Sequence, residues 1–419
     1  MDLRPSDKLL PSGRPVSDGL FALSVVGLLT CLPFSVVGTL AGINPFIMVW
    51  LTIAIYAMPQ LFHAFAEHGP NIRRNFNLDV DQTVLIKLLA LGFILALFGL
   101  LLHFWSFYDQ PRFLLTKFTF FLFLPIIALV AVPYFCTVNR MQGDKKDEYY
   151  HMGALLIGQW SEVDWAKIRH FWLGWFIKLF FFPLMFWELT RTIASVHAQT
   201  FSSLNFDSIS KLVYIADVVI ASAGYLFTLR LFGWQIRSVN PFVSGWFFTL
   251  LCYYPFFHFV HNLGLQYEDG LIWSDWLANH PIALLLWGSA ITVLKIFWIY
   301  AIAPFGLRFS NLTNRGIITD GAFRWTKHPS YISKNLFWWL IYVPFITNGP
   351  WHEAVHNCAI LLVMNAIYYC RAKTEERHLS EDPKYVLYAQ WIDEHGLLAR
   401  TRRFLRRTLP MPYLKGQAS

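Results

Sequence analysis

Ten apolar stretches, most of them long enough to cross a lipid bilayer, constrain the fold of this chain more than any other feature. They lie at residues 20–42, 44–64, 85–107, 112–135, 171–190, 212–234, 241–261, 281–303, 333–348 and 353–371. A helix of about 20 apolar residues spans the hydrocarbon core and satisfies its own main-chain hydrogen bonds. We therefore predict an all-α fold, a polytopic transmembrane helical bundle of about ten spans.

The composition excludes a water-soluble alternative. Of the 419 residues, 56% are hydrophobic and only 14% are charged, whereas soluble domains carry about a quarter charged residues. The aromatic share of 18% suits helices that meet acyl chains and headgroups. The first apolar run, Leu20 to Ile43, lacks a small-residue cleavage site, so we expect a retained helix and not a removed signal peptide.

The positive charges are concentrated on one side of the predicted membrane. They fall at the N-terminus (Arg4, Lys8, Arg14) and in the segments 73–74, 140–169, 230–237, 308–327 and 400–407. The opposite side holds short or acidic connections such as Glu268, Asp269 and Asp275. By the positive-inside rule, both termini are predicted to be cytoplasmic, in a bacterial inner membrane or the endoplasmic reticulum. The net charge of +8 is explained by this orientation, so we expect no nucleic-acid partner.

The chain divides by sequence into two predicted regions. Residues 1–304 form a transmembrane helical region of unknown role, in which the polar, Trp-containing segment 138–170 is predicted to lie at the membrane interface. Residues 305–419 form a C-terminal module with two spans and a cytoplasmic tail. The residues with chemical potential are concentrated in this second region.

Two polar stretches of the C-terminal module carry that chemistry. The first, Arg308 to Tyr331, reads R-F-S-N-L-T-N-R-G-I-I-T-D-G-A-F-R-W-T-K-H-P-S-Y. The second, Tyr368 to Tyr388, reads Y-Y-C-R-A-K-T-E-E-R-H-L-S-E-D-P-K-Y-V-L-Y. On a helix, Arg371 and Glu375 share one face, because they are four residues apart.

These stretches resemble the isoprenylcysteine carboxyl methyltransferase family, which includes phospholipid methyltransferases. The resemblance rests on H-P-S-Y, on R-x-x-x-E-E some forty residues later, and on the preceding block R-G-I-I-T-D-G-A-F, and it covers residues 305–412. Two residues depart from the family pattern. Phe323 replaces the usual tyrosine, and Lys327 replaces the usual arginine before His-Pro.

The resemblance implies a membrane methyltransferase that binds S-adenosylmethionine at the cytoplasmic face and methylates a lipid-like or prenylated acceptor. It assigns the following residues to the cofactor: Arg315, Gly316, Ile317, Ile318, Phe323, His328, Pro329, Ser330, Tyr331 and Glu375. Arg371 is expected to face the substrate, and Arg308 is a weaker cofactor candidate. Glu376 or His328 is the nearest proton acceptor if the nucleophile needs one. The assignment requires the His-Pro loop and the acidic helix end to meet around one ligand.

Two other functions remain open from the sequence. A sterol-type reductase using NADPH also has about ten spans and an H-P-x-Y block, but it typically shows H-P-N-Y-x-G-D where this chain has H-P-S-Y-I-S-K-N. A transporter is suggested only by ionisable residues in or near apolar runs, namely Glu188, Asp217, Arg230 and Lys295.

No metal site is expected. His258 and His261 have a spacing found in metal sites, but their place at a span end favours an interfacial role. The oligomeric state is not indicated by the sequence.

Overall fold

The computed structural model describes residues 19–104, 113–197, 206–258 and 272–399. Its α-helices are α1 (Leu20–Leu40), α2 (Pro45–Asn75), α3 (Gln82–Phe104), α4 (Leu114–Met141), α5 (Glu148–Leu156), α6 (Trp165–His197), α7 (Phe206–Leu226), α8 (Val243–Leu250), α9 (Trp273–Trp276), α10 (Pro281–Ile302), α11 (Pro329–Tyr342), α12 (Trp351–Leu379) and α13 (Pro383–His395). Two short strands, β1 (Ser238–Val239) and β2 (Thr313–Asn314), pair antiparallel.

Seven helices in the described part of the chain are long and apolar enough to cross a membrane: α1, α2, α3, α4, α6, α7 and α10. They coincide with seven of the ten predicted apolar stretches. The prediction of an all-α membrane bundle is therefore confirmed.

The other three predicted spans differ in the structure. In the stretch 241–261, helix α8 ends at Leu250 and turns follow up to Pro255; a proline disfavours helix at the residue before it. Residues 259–271 lie outside the described part of the chain. Helix α11 has 14 residues, and α12 is long but ends in the charged residues of the second motif. The total of ten spans and the side of the termini stay predictions.

The chain forms two compact units. We call residues 22–258 with 305–316 the N-terminal unit, and residues 1–21, 259–304 and 317–419 the C-terminal unit. In this division, helix α10 groups with the C-terminal module and the loop 305–316 groups with the N-terminal helices. The functional boundary at residue 304 stays a prediction.

In the N-terminal unit, the polar segment 138–170 contains α5, which packs tightly on α3. Tyr150, Met152 and Ala154 of α5 are buried. Gly153 lies so close to α3 that a Cβ atom there would overlap the carbonyl oxygen of Ile86. Only glycine allows this approach, and it places the polar N-terminus of α5 against the end of the bundle.

The loop 305–316 is part of the same unit. Its strand β2 pairs with β1 in the register Ser238–Asn314 and Val239–Thr313. The amide nitrogen of Leu307 donates to Gln60 Oε1 of α2 at 3.0 Å. The first half of the first motif is therefore fixed by the N-terminal helices.

In the C-terminal unit, α11 packs against α10 and α12. Trp287 Nε1 of α10 donates to the carbonyl oxygen of Leu340 at 2.8 Å. Between α11 and α12, the amide of Asn365 accepts from Trp339 Nε1 at 2.9 Å and donates to Asn335 Oδ1 at 2.6 Å. Hydrogen bonds of this kind fix the register of helices in an apolar environment, and here they hold α11 beside the end of α12.

Candidate active site

The two polar motifs of the C-terminal module meet through paired side chains. His328 Nε2 lies 3.1 Å from Glu376 Oε1. The Tyr331 hydroxyl donates to Glu375 Oε2 at 2.8 Å. The prediction that the His-Pro loop and the acidic helix end come together is confirmed, and we call His328, Tyr331, Arg371, Glu375 and Glu376 the motif cluster.

Local helix geometry explains why these side chains converge. Pro329 occupies the first turn of α11, where its missing N–H costs nothing. His328 precedes it, and Tyr331 follows one turn later, so their rings stack with centroids 5.4 Å apart and an interplanar angle of 7°. Because Glu375 and Glu376 are adjacent on α12, each carboxylate reaches a different partner on α11.

Arg371 completes the cluster on the aromatic side. Its side chain is buried, with 7% of the residue exposed. The guanidinium carbon lies 5.1 Å from the centroid of the Tyr331 ring and 5.9 Å from that of Tyr368. Aromatic faces attract cations most strongly where water is excluded, so the cluster already accommodates a positive charge on its aromatic side.

Glu376 is the most strongly stabilised anion of the cluster. Lys373 Nζ donates to its Oε2 at 2.9 Å, and Lys327 Nζ lies 3.7 Å from the same oxygen. Burial alone would raise the pKa of Glu376, but the hydrogen bonds from His328 and Lys373 and the charge of Lys327 lower it to about 2. Glu376 is therefore ionised throughout the physiological range.

Lys327, which replaces the usual arginine of the resembled pattern, bridges two acids. Besides Glu376, its ammonium group lies 3.4 Å from Asp393 Oδ1 on α13. A lysine acts as a compact point charge and lacks the two-pronged geometry of arginine. The substitution thus preserves the positive charge beside the cluster.

Helix α13 fixes the loop that carries Phe323. Phe323 is buried, and its carbonyl oxygen accepts a hydrogen bond from the Tyr388 hydroxyl at 2.7 Å. The Leu397 amide nitrogen donates to the carbonyl oxygen of Trp325 at 2.8 Å. The side chain of Phe323 thus lies in the core, where the hydroxyl of a tyrosine would need a buried partner.

Three residues important to this site were not assigned from the sequence: Tyr368, Tyr388 and Asp393. Tyr385, Tyr388 and Ile392 are the buried residues of α13, and their spacing of three to four residues is the apolar stripe of an amphipathic helix. That periodicity was the available signal for Tyr388. Nothing in the local sequence indicates that Asp393 meets Lys327.

The remaining predicted cofactor residues of the C-terminal unit lie on the same stretch of chain. Ile318 and Pro329 are buried, and Ile317 and Ser330 are partly exposed. The Ser330 carbonyl oxygen accepts a hydrogen bond from the Ser333 hydroxyl at 3.0 Å. Contact of these residues with a cofactor stays a prediction.

Arg315 and Gly316 belong to the N-terminal unit, where Arg315 has a defined structural role. Its five side-chain N–H groups all donate to main-chain carbonyl oxygens, those of Gly224, Phe227, Trp234 (twice) and Phe309, at 2.5–3.1 Å. Arg315 thereby ties the end of α7 and the following loop to the first motif. Burial lowers its pKa to about 9, which leaves it charged at neutral pH.

Gly316 follows with φ +111°, a conformation that residues with a side chain rarely adopt. Its Cα lies beside two guanidinium groups, and a Cβ there would sit 3.6 Å from an Nη atom of Arg237 and 3.7 Å from one of Arg308. The sequence motif thus needs glycine at this position for its backbone shape.

The described residues contain no group of three or more His, Cys, Asp or Glu side chains that could hold a metal ion. His261, the second histidine of the spacing noted in the sequence, lies outside them.

Comparison with known proteins gives one match. Residues 282–381, about a quarter of the chain, match the Isoprenylcysteine carboxyl methyltransferase (ICMT) family. The matched segment runs from the start of α10 to just beyond α12 and includes the whole motif cluster. No curated protein and no solved structure matches the chain. The family predicted from the sequence resemblance is therefore confirmed for this segment, and the reductase alternative gains no support.

Proposed function

We propose that this chain, whose residues 282–381 carry the isoprenylcysteine carboxyl methyltransferase family segment, is an integral membrane methyltransferase that uses S-adenosylmethionine. The observation that carries the proposal is the joining of the two motifs through the His328–Glu376 and Tyr331–Glu375 contacts. We further propose that the acceptor is lipid-like or prenylated, since the family segment that holds the cluster begins with α10, a candidate membrane span.

The residue types of the motif cluster fit this cofactor. S-adenosylmethionine carries a positive sulfonium and an ammonium group, and the cluster presents two carboxylates beside stacked aromatic rings. The Arg371 guanidinium already lies over the Tyr331 ring, so a cation is favoured at that face. We assign Glu375 to the cofactor, with His328, Tyr331 and the chain from Ile317 to Phe323 as further contacts.

The bound cofactor supplies an activated methyl group, and the protein supplies position and charge. Methyl transfer from a sulfonium is an in-line displacement, in which correct alignment accounts for much of the acceleration. Arg371 would orient an acceptor carboxylate through two parallel N–H···O bonds. In that case no general base is required.

An amine or thiol acceptor would need to lose a proton, and the geometry favours His328 over Glu376 for this step. A carboxylate with a pKa of about 2 is a weak base at neutral pH. An ionised Glu376 only accepts hydrogen bonds, so His328 Nε2 is the donor and Nδ1 keeps the lone pair in the neutral ring. We propose that Glu376 orients His328 and that His328 accepts the proton.

We propose a positioning role for Arg315, because all its side-chain donors are already used by main-chain carbonyls. It would shape the backbone that leads into the residues after Gly316. Direct contact with the cofactor would require it to give up hydrogen bonds in a buried place, which is costly.

The predicted topology is supported by the pairing of β1 with β2. Residues 238–239 and 313–314 are hydrogen-bonded neighbours, so they lie on the same side of the membrane. Helix α10 is a candidate span that ends shortly before β2. We propose that the predicted span 241–261 precedes α10 and that the active site is cytoplasmic.

Thermal unfolding of the purified full-length protein in detergent tests the cofactor. We expect S-adenosylmethionine and its demethylated product S-adenosylhomocysteine to raise the unfolding temperature, because a ligand that binds only the native state stabilises it by mass action. NADPH should give no shift. Stabilisation by NADPH alone would establish the reductase instead.

Two variants separate the assigned roles. Glu375→Ala should abolish the shift with S-adenosylhomocysteine, whereas Arg371→Ala should keep the shift and lose transfer of a labelled methyl group to extracted lipids. Glu381→Ala, an exposed glutamate just beyond the end of α12, is the matched control and should retain both. Equal loss of the shift in the Arg371 and Glu375 variants would remove the substrate role of Arg371.

A further inference from the structure

The N-terminal unit contains a cavity that the methyltransferase motifs do not explain. Its volume is about 40 Å³, enough for a few water molecules or one oxyanion group. It lies among the end of α4, the start of α5, the first half of α6 and the loop after α7. Glu148, His170, Trp175, Lys178, Arg230 and Gln235 are among its lining residues.

Among the described residues around the cavity, one cation, Lys178, has no carboxylate within ion-pair distance. Lys87 Nζ lies 2.8 Å from Asp147 Oδ2, and Arg230 pairs with Glu148 and lies 3.9 Å from Asp147. Two cations and two carboxylates therefore balance each other. Lys178 is a third cation, and its one recorded contact within the described residues is with the Trp175 ring, 4.7 Å from the ammonium to the ring centroid.

A cation in this place is costly without an anion. Lys178 lies within a candidate membrane span, where ionisable side chains are rare and usually have a function. The Arg230 and Arg315 guanidinium groups repel it, and Glu148, which attracts it, already pairs with Arg230. The electrostatic balance therefore favours an added negative charge.

Two uncharged groups of the cavity lining also lack partners in the described part of the chain. Trp175 Nε1 and Gln235 Oε1 are buried and make no hydrogen bond there. An indole N–H is a donor only, and a glutamine amide presents donors when its oxygen and nitrogen exchange places. Both groups, like Lys178, are thus suited to donate to an oxyanion, and buried donors are rarely left unsatisfied.

We propose that this cavity binds one small oxyanion group, a phosphate or a carboxylate, with Lys178 as its charged ligand and Trp175 and Gln235 as hydrogen-bond donors. The group belongs either to the head of an anionic lipid or to a soluble molecule. The site lies in the region of the chain outside the family match. It is independent of the proposed methyl transfer.

Ligand-dependent thermal unfolding of the full-length protein in a neutral detergent tests the site. Inorganic phosphate, acetate and mixed micelles of phosphatidic acid would be titrated separately, with sodium chloride at matched ionic strength and phosphatidylcholine micelles as blanks. We expect a saturable rise in unfolding temperature. A rise with phosphate or acetate identifies a soluble anion, and a rise with phosphatidic acid alone identifies a lipid head.

The variant Lys178→Met keeps the length of the side chain and removes its charge. It should weaken anion binding about thirtyfold or more and should itself unfold at a higher temperature than the wild type without anion. Lys295→Met is the matched control, since Lys295 also lies in a span and over an aromatic ring, that of Phe337 at 4.8 Å. It should retain the anion response. The proposal is overturned if no anion stabilises the wild type, or if Lys178→Met responds as the wild type does.

Discussion

Two ionic clusters of this molecule are built in opposite ways. The motif cluster joins short sequence motifs at the start of α11 and the end of α12, and its side around Glu376 keeps some access to water: the side chains of His328 and Glu376, and of the neighbouring Lys327, are 11–18% exposed. The buried ion network of the N-terminal unit (Lys87, Asp147, Glu148 and Arg230) joins residues 60 to 82 positions apart. In its central pair, Lys87 is 0% and Asp147 is 6% exposed.

The difference teaches what each cluster does for the protein. A buried pair stripped of water gains little net stability from its attraction, but loss of one partner leaves a costly unpaired charge. The buried ion network therefore favours one specific packing arrangement of α3, α5 and the loop after α7. In the motif cluster, Glu376 keeps some access to water and has three partners, His328, Lys327 and Lys373, which suits a group that exchanges partners when a ligand binds.

The largest effect is expected from breaking the buried ion network. Lys87→Met removes the close cationic partner of Asp147 and leaves the Arg230 guanidinium 3.9 Å away, and it also removes the 2.6 Å hydrogen bond to Asn139. We expect a loss of roughly 3–5 kcal/mol of unfolding free energy, measured by chemical unfolding in mixed micelles.

The double variant Lys87→Met/Asp147→Asn is the control for this prediction. Asparagine retains the oxygen that caps α5 by accepting from the amides of Tyr149 and Tyr150, while the unpaired charge is removed. It should recover much of the lost stability. A double variant as unstable as Lys87→Met would show that packing, and not charge, makes this network important.

The comparison also explains how much could be predicted from the sequence. Apolar run length predicts helices by a local rule, so seven of the predicted stretches coincide with candidate spans. The motif cluster was accessible because its members fall in two short motifs that carry a family pattern. Lys87 and Lys178 each lie within an apolar run. Such a lysine indicates a function, but the sequence does not predict which residues it contacts. The partners of Lys87 are Asn139 and Asp147, which come from segments that only the packing of α3 against α4 and α5 brings near.

The stretch 241–261 shows the limit of the local rule. Its hydropathy matches a span, but helix α8 covers only Val243–Leu250, and turns separate it from the helical residues that begin after Pro255. Hydropathy averages over residues and does not register where a proline stops helix propagation. The role of Arg315 was hidden for a similar reason, since three of the four main-chain carbonyls that it binds belong to residues 81 to 91 positions away.

A smaller effect is expected in the motif cluster when Glu376 loses its charge. The folded-state pKa of about 2 lies below the ordinary value of 4.5, so the ionised form stabilises the fold. This contribution is complete above about pH 4.5 and is lost as the pH falls from there through about 2. Because the carboxylate is partly solvated, we expect on the order of 1–2 kcal/mol.

Unfolding of the wild type and Glu376→Gln between pH 2 and 7 measures this contribution. The glutamine variant should be less stable at pH 7, and the two proteins should converge toward pH 2. A difference that stays constant over the whole range would mean that glutamine disturbs packing, and the electrostatic account of the motif cluster would then be incorrect.

The smallest effect, about 1 kcal/mol, is expected from Tyr388→Phe, which tests whether α13 supports the motif cluster from outside. The variant keeps the buried ring and removes the hydroxyl that donates to the Phe323 carbonyl oxygen, so it deletes one ordinary hydrogen bond. Because that bond fixes the loop before His328, binding of S-adenosylhomocysteine should weaken while the stability changes little. If Tyr388→Phe lost stability but bound S-adenosylhomocysteine as the wild type does, α13 would stabilise the fold without contributing to ligand binding. The motif cluster would then depend only on α11 and α12.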